Sequence, residues 1–223
     1  MSCACHCQAT ARHFGPVAAR NDLERYRKRG PDTTTAAMLE GLRSTSRRYS
    51  RLLDIGAGIG VLHHELLESF VDRAVHVEAS SAYIAVGREE DERRGYGDRV
   101  EYVLGDAAEL SDDLAPADVV ALDRVICCYP EWERLVRTSA SRATRMYAFS
   151  IPHDRWYVRL GVGIMNRVRQ VRDDAFRAYV HPVAEIEGVL RELGFRRVSL
   201  RRTVIWHVAL FALPAATESA SAA

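Results

Sequence analysis

The sequence predicts an α/β fold: a Rossmann-like, doubly wound sheet of seven strands with the last strand antiparallel, an N-terminal helical cap and a helical insertion after the fifth strand. Three observations lead there. From Arg51 onward, short β-rich runs alternate with helix-length stretches, which implies parallel strands joined by crossover helices. The first of these runs ends in a glycine-rich turn, Gly56-Ala57-Gly58-Ile59-Gly60, that opens a helix. The final two runs follow each other with almost no connection, too little for a right-handed parallel crossover, so one runs antiparallel to its neighbour.

Strands are expected at Arg51–Ile55, Ala74–Glu78, Val100–Leu104, Asp118–Asp123, Arg145–Ser150, Arg196–Arg201 and Thr203–Leu213. Helices are expected at Ile59–Phe70, Ser81–Arg94, Glu131–Ala140 and Pro182–Leu193. A helical preface, Val17–Leu42, is broken at Gly30-Pro31 and restarted by the Asp32-Thr33 cap. Between the fifth strand and Pro182 stand about thirty residues, too many for a plain connection. Residues 1–223 thus read as one domain, with a cap at 14–44 and a core at 51–213 that carries its insertion at about 153–181. The cap and the insertion are the expected cover of a site. Residues 1–12 and the Ala-Ser-rich tail 214–223 read as disordered.

With 31 basic against 30 acidic residues and a net charge of +1, the chain has no charge excess to attract nucleic acid or an anionic membrane. No run approaches the ~20 apolar residues of a membrane span, and the N-terminus lacks a secretory apolar region, so a cytoplasmic protein is expected. Its five cysteines, three at the start and Cys127-Cys128 in mid-chain, make no disulfide framework. Cys3-Ala4-Cys5-His6-Cys7 offers soft ligands, yet no second cluster completes a four-ligand set, and no metal is expected. The oligomeric state stays open.

The glycine turn carries the chemistry. A dinucleotide-binding turn would place glycine where Val61 stands, so a pyrophosphate cradle is disfavoured. Asp54, just before the turn, would repel a pyrophosphate but suits the ammonium and sulfonium of S-adenosylmethionine. Glu78, at the end of the second strand, has two oxygens to accept both ribose hydroxyls, with Ala79 beside it. At the end of the third strand, Asp106 can accept from the adenine amine, and Ala107 offers a backbone N–H to the ring. With Gly56, Ala57, Gly58, Gly60 and Asp123, these residues form the expected cofactor set, which tells against a nicotinamide oxidoreductase.

Beyond these elements the chain resembles the class I methyltransferases. The run Asp123-Arg124-Val125-Ile126-Cys127-Cys128-Tyr129-Pro130 is similar to the fourth-strand segment of magnesium-protoporphyrin IX O-methyltransferases, and Phe176-Arg177-Ala178-Tyr179-Val180-His181 to a later stretch of that family. The resemblance runs from about Phe14 to Leu213 and implies methyl transfer from S-adenosylmethionine. The family pattern has histidine before Tyr-Pro, where this chain has Cys128, and a tyrosine-phenylalanine pair where it has His13-Phe14. The methyl transfer carries over; the porphyrin does not follow.

Methyl transfer needs orientation and exclusion of water more than it needs a base, since a carboxylate nucleophile is already ionised. Cys128, Tyr129, His153 and His181 are the expected catalytic residues, and Arg124, Trp156 and Tyr179 the expected substrate contacts. All lie near the ends of the fourth and fifth strands or in the insertion. The expected acceptor is a small molecule, carboxylate-bearing or aromatic, methylated on oxygen. N- or C-methylation, or a non-catalytic S-adenosylmethionine-binding accessory role, stays open.

Overall fold

A computed structural model describes residue 10 and residues 12–45, 47–110 and 113–214. The expectations for Cys3, Cys5, Cys7 and the tail beyond Pro214 lie outside them. Thr10 and Arg12, within the stretch expected to be disordered, are helical.

The preface forms two helices, α1 (Pro16–Arg29) and α2 (Thr33–Arg43). Pro16 opens the first, and Asp32 caps the second by accepting the N–H groups of Thr34 and Thr35 at 3.0 and 3.1 Å. The remaining elements follow as β1 (Tyr49–Ile55), α3 (Val61–Leu67), β2 (Val71–Glu78), α4 (Ser81–Arg94), β3 (Val100–Leu104), β4 (Ala117–Asp123), α5 (Trp132–Ala140), β5 (Ala143–Pro152), α6 (Trp156–Val171), α7 (Val183–Glu192), β6 (Arg196–Arg202) and β7 (Trp206–Ala212). Several boundaries differ from expectation: β1, β2 and β5 begin earlier, at Tyr49, Val71 and Ala143, and the helix after the glycine turn ends at Leu67. The helix after the glycine turn begins at Val61 rather than Ile59, because Gly60 takes φ +90° and holds the turn out of helical geometry. The last strand begins at Trp206 rather than Thr203, whose backbone closes the β6–β7 turn onto Trp206.

The sheet order is β3-β2-β1-β4-β5-β7-β6, parallel except that β7 runs antiparallel to both its neighbours. Alternate residues of each strand serve opposite faces. Leu53, Ile55, Val120, Leu122, Tyr147 and Phe149 pack under α5 and α7, while Leu52, Val119, Ala121, Met146 and Ala148 pack under α2 and α3. A third cluster joins α1 to α4 through Ala19, Leu23, Tyr26, Tyr83 and Val86. Among the described residues no helix is long and apolar enough to cross a membrane.

Candidate active site

The crossovers depart in opposite directions from β1 and β4, adjacent strands of the sheet, and ligands of open α/β sheets sit in the crevice outside that point. A cavity of about 510 Å³ lies there. Gly56 forms part of its floor with φ +60°, and a Cβ on it would stand 2.5 Å from a methyl of Val125, so only glycine lets β1 turn this close to the end of β4. The turn is pinned to β2 by the N–H groups of Gly56 and Ala57, which donate to Val77 O at 2.8 and 3.2 Å.

Glu78 faces the cavity from the end of β2, 8% exposed. Its Oε2 accepts from Gly58 N–H at 3.0 Å and its Oε1 from Ser80 N–H at 2.9 Å, which ties the glycine turn to the start of α4. Burial pushes the Glu78 carboxyl above its ordinary pKa, against the pull of those N–H groups. Ala79, Asp106, Ala107 and Asp123 line the same cavity. Asp123 accepts from the hydroxyls of Thr35 and Ser150, so the helical cap is fastened to the strand end. Beside it Arg124 takes φ +63°, a left-handed conformation that costs a side-chain-bearing residue about 1–3 kcal/mol. Its N–H bonds Ser150 Oγ at 2.8 Å, and its guanidinium pairs with Asp32 at 2.5 Å.

Asp54 is placed differently. Strand alternation turns it to the α3 face, where its carboxylate pairs with His63 Nδ1 at 3.0 Å. It reaches only a small adjoining cavity of about 110 Å³, lined also by Ala57. Gly60 lines neither space; it starts α3 against His63 and His64.

Cys128, Tyr129, Met165, Arg169, Phe176 and Trp206 also line the large cavity. The hydrogen bond to Cys128 and then burial raise the neighbouring Cys127 thiol well above its usual pKa, so it stays neutral. The two additions to the sheet meet beside this cavity. His13 Nδ1 lies 2.7 Å from Asp174 Oδ2, its ring stacks on Phe176 with centroids 4.5 Å apart, and Ser80 Oγ donates to Phe14 O at 2.6 Å.

His153, His181, Trp156 and Tyr179 do not line either cavity. His153 is buried with Nε2 3.1 Å from Thr203 O, and His181 lies 2.8 Å from Tyr129 O, where burial lowers its pKa to about 4. Both imidazoles fasten backbone. Tyr179 holds its segment through its N–H to Cys127 O at 2.7 Å and stacks on His181, and Trp156 is 76% exposed on α6. Sequence reasoning passed over Arg25 and Tyr83, and gave no separate role to His13, Phe14, Met165, Arg169 and Phe176, all cavity-lining. His13, Phe14 and Phe176 were marked by the resembled pattern, and Met165 and Arg169 by the insertion that holds them.

Residues 52–145 match the family model described as a methyltransferase domain. The ribosomal protein L11 methyltransferase of Yersinia pseudotuberculosis is 32% identical over 94 residues, 41% of this chain but only 32% of that protein's length. The whole fold is matched by the crystal structure of magnesium protoporphyrin IX methyltransferase from Synechocystis PCC 6803 with bound S-adenosylhomocysteine, at TM-score 0.71 and 18% identity over 94% of this chain and all of that one. Residues 52–145 thus carry a methyltransferase domain, on a fold that this crystal structure shares. An O-methyltransferase family 2 protein from Planctomyces limnophilus, in complex with apigenin, is similar at TM-score 0.65 and 16% identity, covering 88% of this chain and 62% of that one. In this methyltransferase domain the family-model match covers the glycine turn, Glu78, Asp106 and Asp123, while the cap and α6 lie outside it.

Proposed function

We propose that the chain transfers the methyl group of S-adenosylmethionine to an oxygen of a small carboxylate-bearing or aromatic acceptor in the cytoplasm. One observation carries this reading: a single cavity is lined both by the glycine turn, Glu78 and Asp106 and by Cys128, Tyr129, Met165 and Phe176. The residues present suit the cofactor. Backbone at Gly56 and Gly58 is open to it, Glu78 is a buried acceptor for the ribose, Asp106 and Ala107 suit the adenine, and Asp123 closes the methionine end. Asp54 contributes charge behind the turn rather than contact, because His63 already pairs with it. When bound, the cofactor supplies an activated methyl carbon on a sulfonium. The chain's own residues then orient the acceptor and keep water out, with Arg124 and Arg169 as cationic partners for a carboxylate. Free thiols at Cys127 and Cys128 are consistent with a reducing compartment.

A second reading rests on His13, which lines the cavity and is paired through Nδ1 with Asp174. A carboxylate-oriented imidazole can take the proton of a phenol, a step typically worth ~10²–10⁴ in rate. Incubating the protein with labelled S-adenosylmethionine and a panel of carboxylates, phenols and amines tests both readings. A base-labile methyl ester supports the carboxylate acceptor, whereas a stable ether whose formation His13→Ala abolishes supports the phenol. Methylation confined to amines, or cofactor binding with no transfer, overturns the proposal.

A further inference from the structure

Behind the glycine turn, away from the cavity, the interior is unusually polar. His63 and His64 project from the first two turns of α3, Asp91 from α4 and His76 from β2, and each of the four is 0% exposed. Their polar atoms are poorly satisfied. Both ring nitrogens of His64 and of His76, and Oδ1 of Asp91, have no hydrogen-bond partner among the described residues. Leaving such groups bare in a water-free interior costs about 1–3 kcal/mol each, and four imidazole nitrogens and a carboxylate oxygen in one place call for an occupant.

The geometry says what kind. One donor atom from each of His63, His64 and Asp91 falls within a common 4.8 Å. His63 Nε2 stands 3.2 Å from Asp91 Oδ2 as a hydrogen bond, and His64 Nε2 stands 3.2 Å from Asp91 Oδ1 without hydrogen-bond alignment. Two ligands of a tetrahedral ion with bonds of about 2.0–2.1 Å are separated by about 3.3 Å, so the 3.2 Å from His64 Nε2 to Asp91 Oδ1, unaligned for a hydrogen bond, fits donors facing one ion. Gly60 packs directly against the two rings. A Cβ on Gly60 would lie 2.4 Å from the His63 ring and 2.9 Å from His64 Nε2. Two imidazoles and one carboxylate are the donor set of a borderline-soft divalent ion rather than of calcium or magnesium.

We propose that His63, His64 and Asp91 bind one divalent transition-metal ion of the zinc class, a structural site that clamps the start of α3 to α4 beneath the glycine turn. The Asp91 oxygens are oriented for it by Tyr102, whose hydroxyl donates to Oδ2 at 2.6 Å. Because every ligand is fully buried, the ion enters as the chain folds and not through the cavity.

The test uses the full-length chain with Cys3, Cys5 and Cys7 changed to Ser, so that those thiols cannot compete for metal. Protein refolded with one equivalent of Zn²⁺, then passed through chelator, should retain about one zinc per chain by elemental analysis and melt higher than protein refolded in chelator. Refolding with Co²⁺ should give the intense visible bands of a tetrahedral ion, with no thiolate charge-transfer band in the near ultraviolet. His64→Asn and Asp91→Asn, each checked for folding by circular dichroism, should retain no metal. Should neither variant fold, the cobalt spectrum of the parent decides alone. Folded parent protein that holds less than about a tenth of an equivalent, cobalt bands of a thiolate site, or metal retained in both variants overturns the site and leaves a hydrogen-bonded charge cluster.

Discussion

Removing the Glu78 carboxylate should be felt twice, once in the cofactor and once in the fold. In Glu78→Ala, Gly58 N–H and Ser80 N–H lose acceptors at 3.0 and 2.9 Å, and Ser80 is 2% exposed, so water cannot readily replace them. Hydrogen bonds to a charged group contribute about 1.5–3 kcal/mol each. Burial already strains the ionised carboxyl, and releasing that strain offsets part of the loss, which leaves roughly 2–4 kcal/mol of destabilisation. Two ribose bonds lost together cost about 1.5–3 kcal/mol, or about 10- to 150-fold in affinity for S-adenosylhomocysteine. Glu78→Gln keeps one acceptor oxygen and should fall between the two. Calorimetric titration with S-adenosylhomocysteine, paired with denaturant unfolding of the same samples, measures both effects. Lowered stability with unchanged affinity would remove Glu78 from the ribose, and a variant unchanged in both would refute the whole argument.

Gly56→Ala should lose about 1–2 kcal/mol for the left-handed backbone and more for the clash with Val125, and adding Val125→Ala should recover only the clash portion in urea unfolding. Cys128→Ser and His153→Ala should each keep most of the turnover, the first because a small polar group replaces another and the second because His153 holds Thr203 rather than substrate; a hundredfold loss in either folded variant would contradict this. His181 is neutral in the fold down to about pH 4 but takes up a proton in the unfolded chain near 6.5, so stability should fall as pH drops from 6.5 toward 4 and level off below. His181→Gln should flatten that part of the pH–stability curve, and an unchanged slope would show that another group titrates there.

The sheet was legible because its signals are local. Glycine at positions 56, 58 and 60 follows a buried strand, apolar runs are separated by helix-length stretches, and Asp32 caps a helix in plain view. The strand-end residues Glu78, Asp106 and Asp123 fell into the cavity for the same reason, since a parallel sheet brings successive carboxyl ends together whatever the loops do. What failed to show was direction and distance. Asp54 is one residue from Ile55, but strand alternation puts it on the other face, against a histidine nine positions on. His13 and Asp174 meet across 161 residues because the cap and the insertion fold over one opening, and no spacing in the sequence encodes that. His153 and His181 had the right neighbourhood but spend their imidazoles on backbone carbonyls, a choice made by packing.

The place of β7 bears on how the chain comes off the ribosome. It is the last strand of the sheet in sequence, yet it stands between β5 and β6 and pairs β5 from Met146 to Pro152. Strands β1 to β5 complete a parallel half as they emerge, and among the described residues β6 pairs with β7 alone. Until Trp206–Ala212 arrives, β5 therefore presents seven unpaired positions flanked by the buried rings of Tyr147 and Phe149, the kind of open apolar edge that recruits another copy. Nascent chains stalled short of Trp206, and C-terminal truncations that remove the strand, are thus natural chaperone clients and seeds of aggregation, however intact their glycine turn.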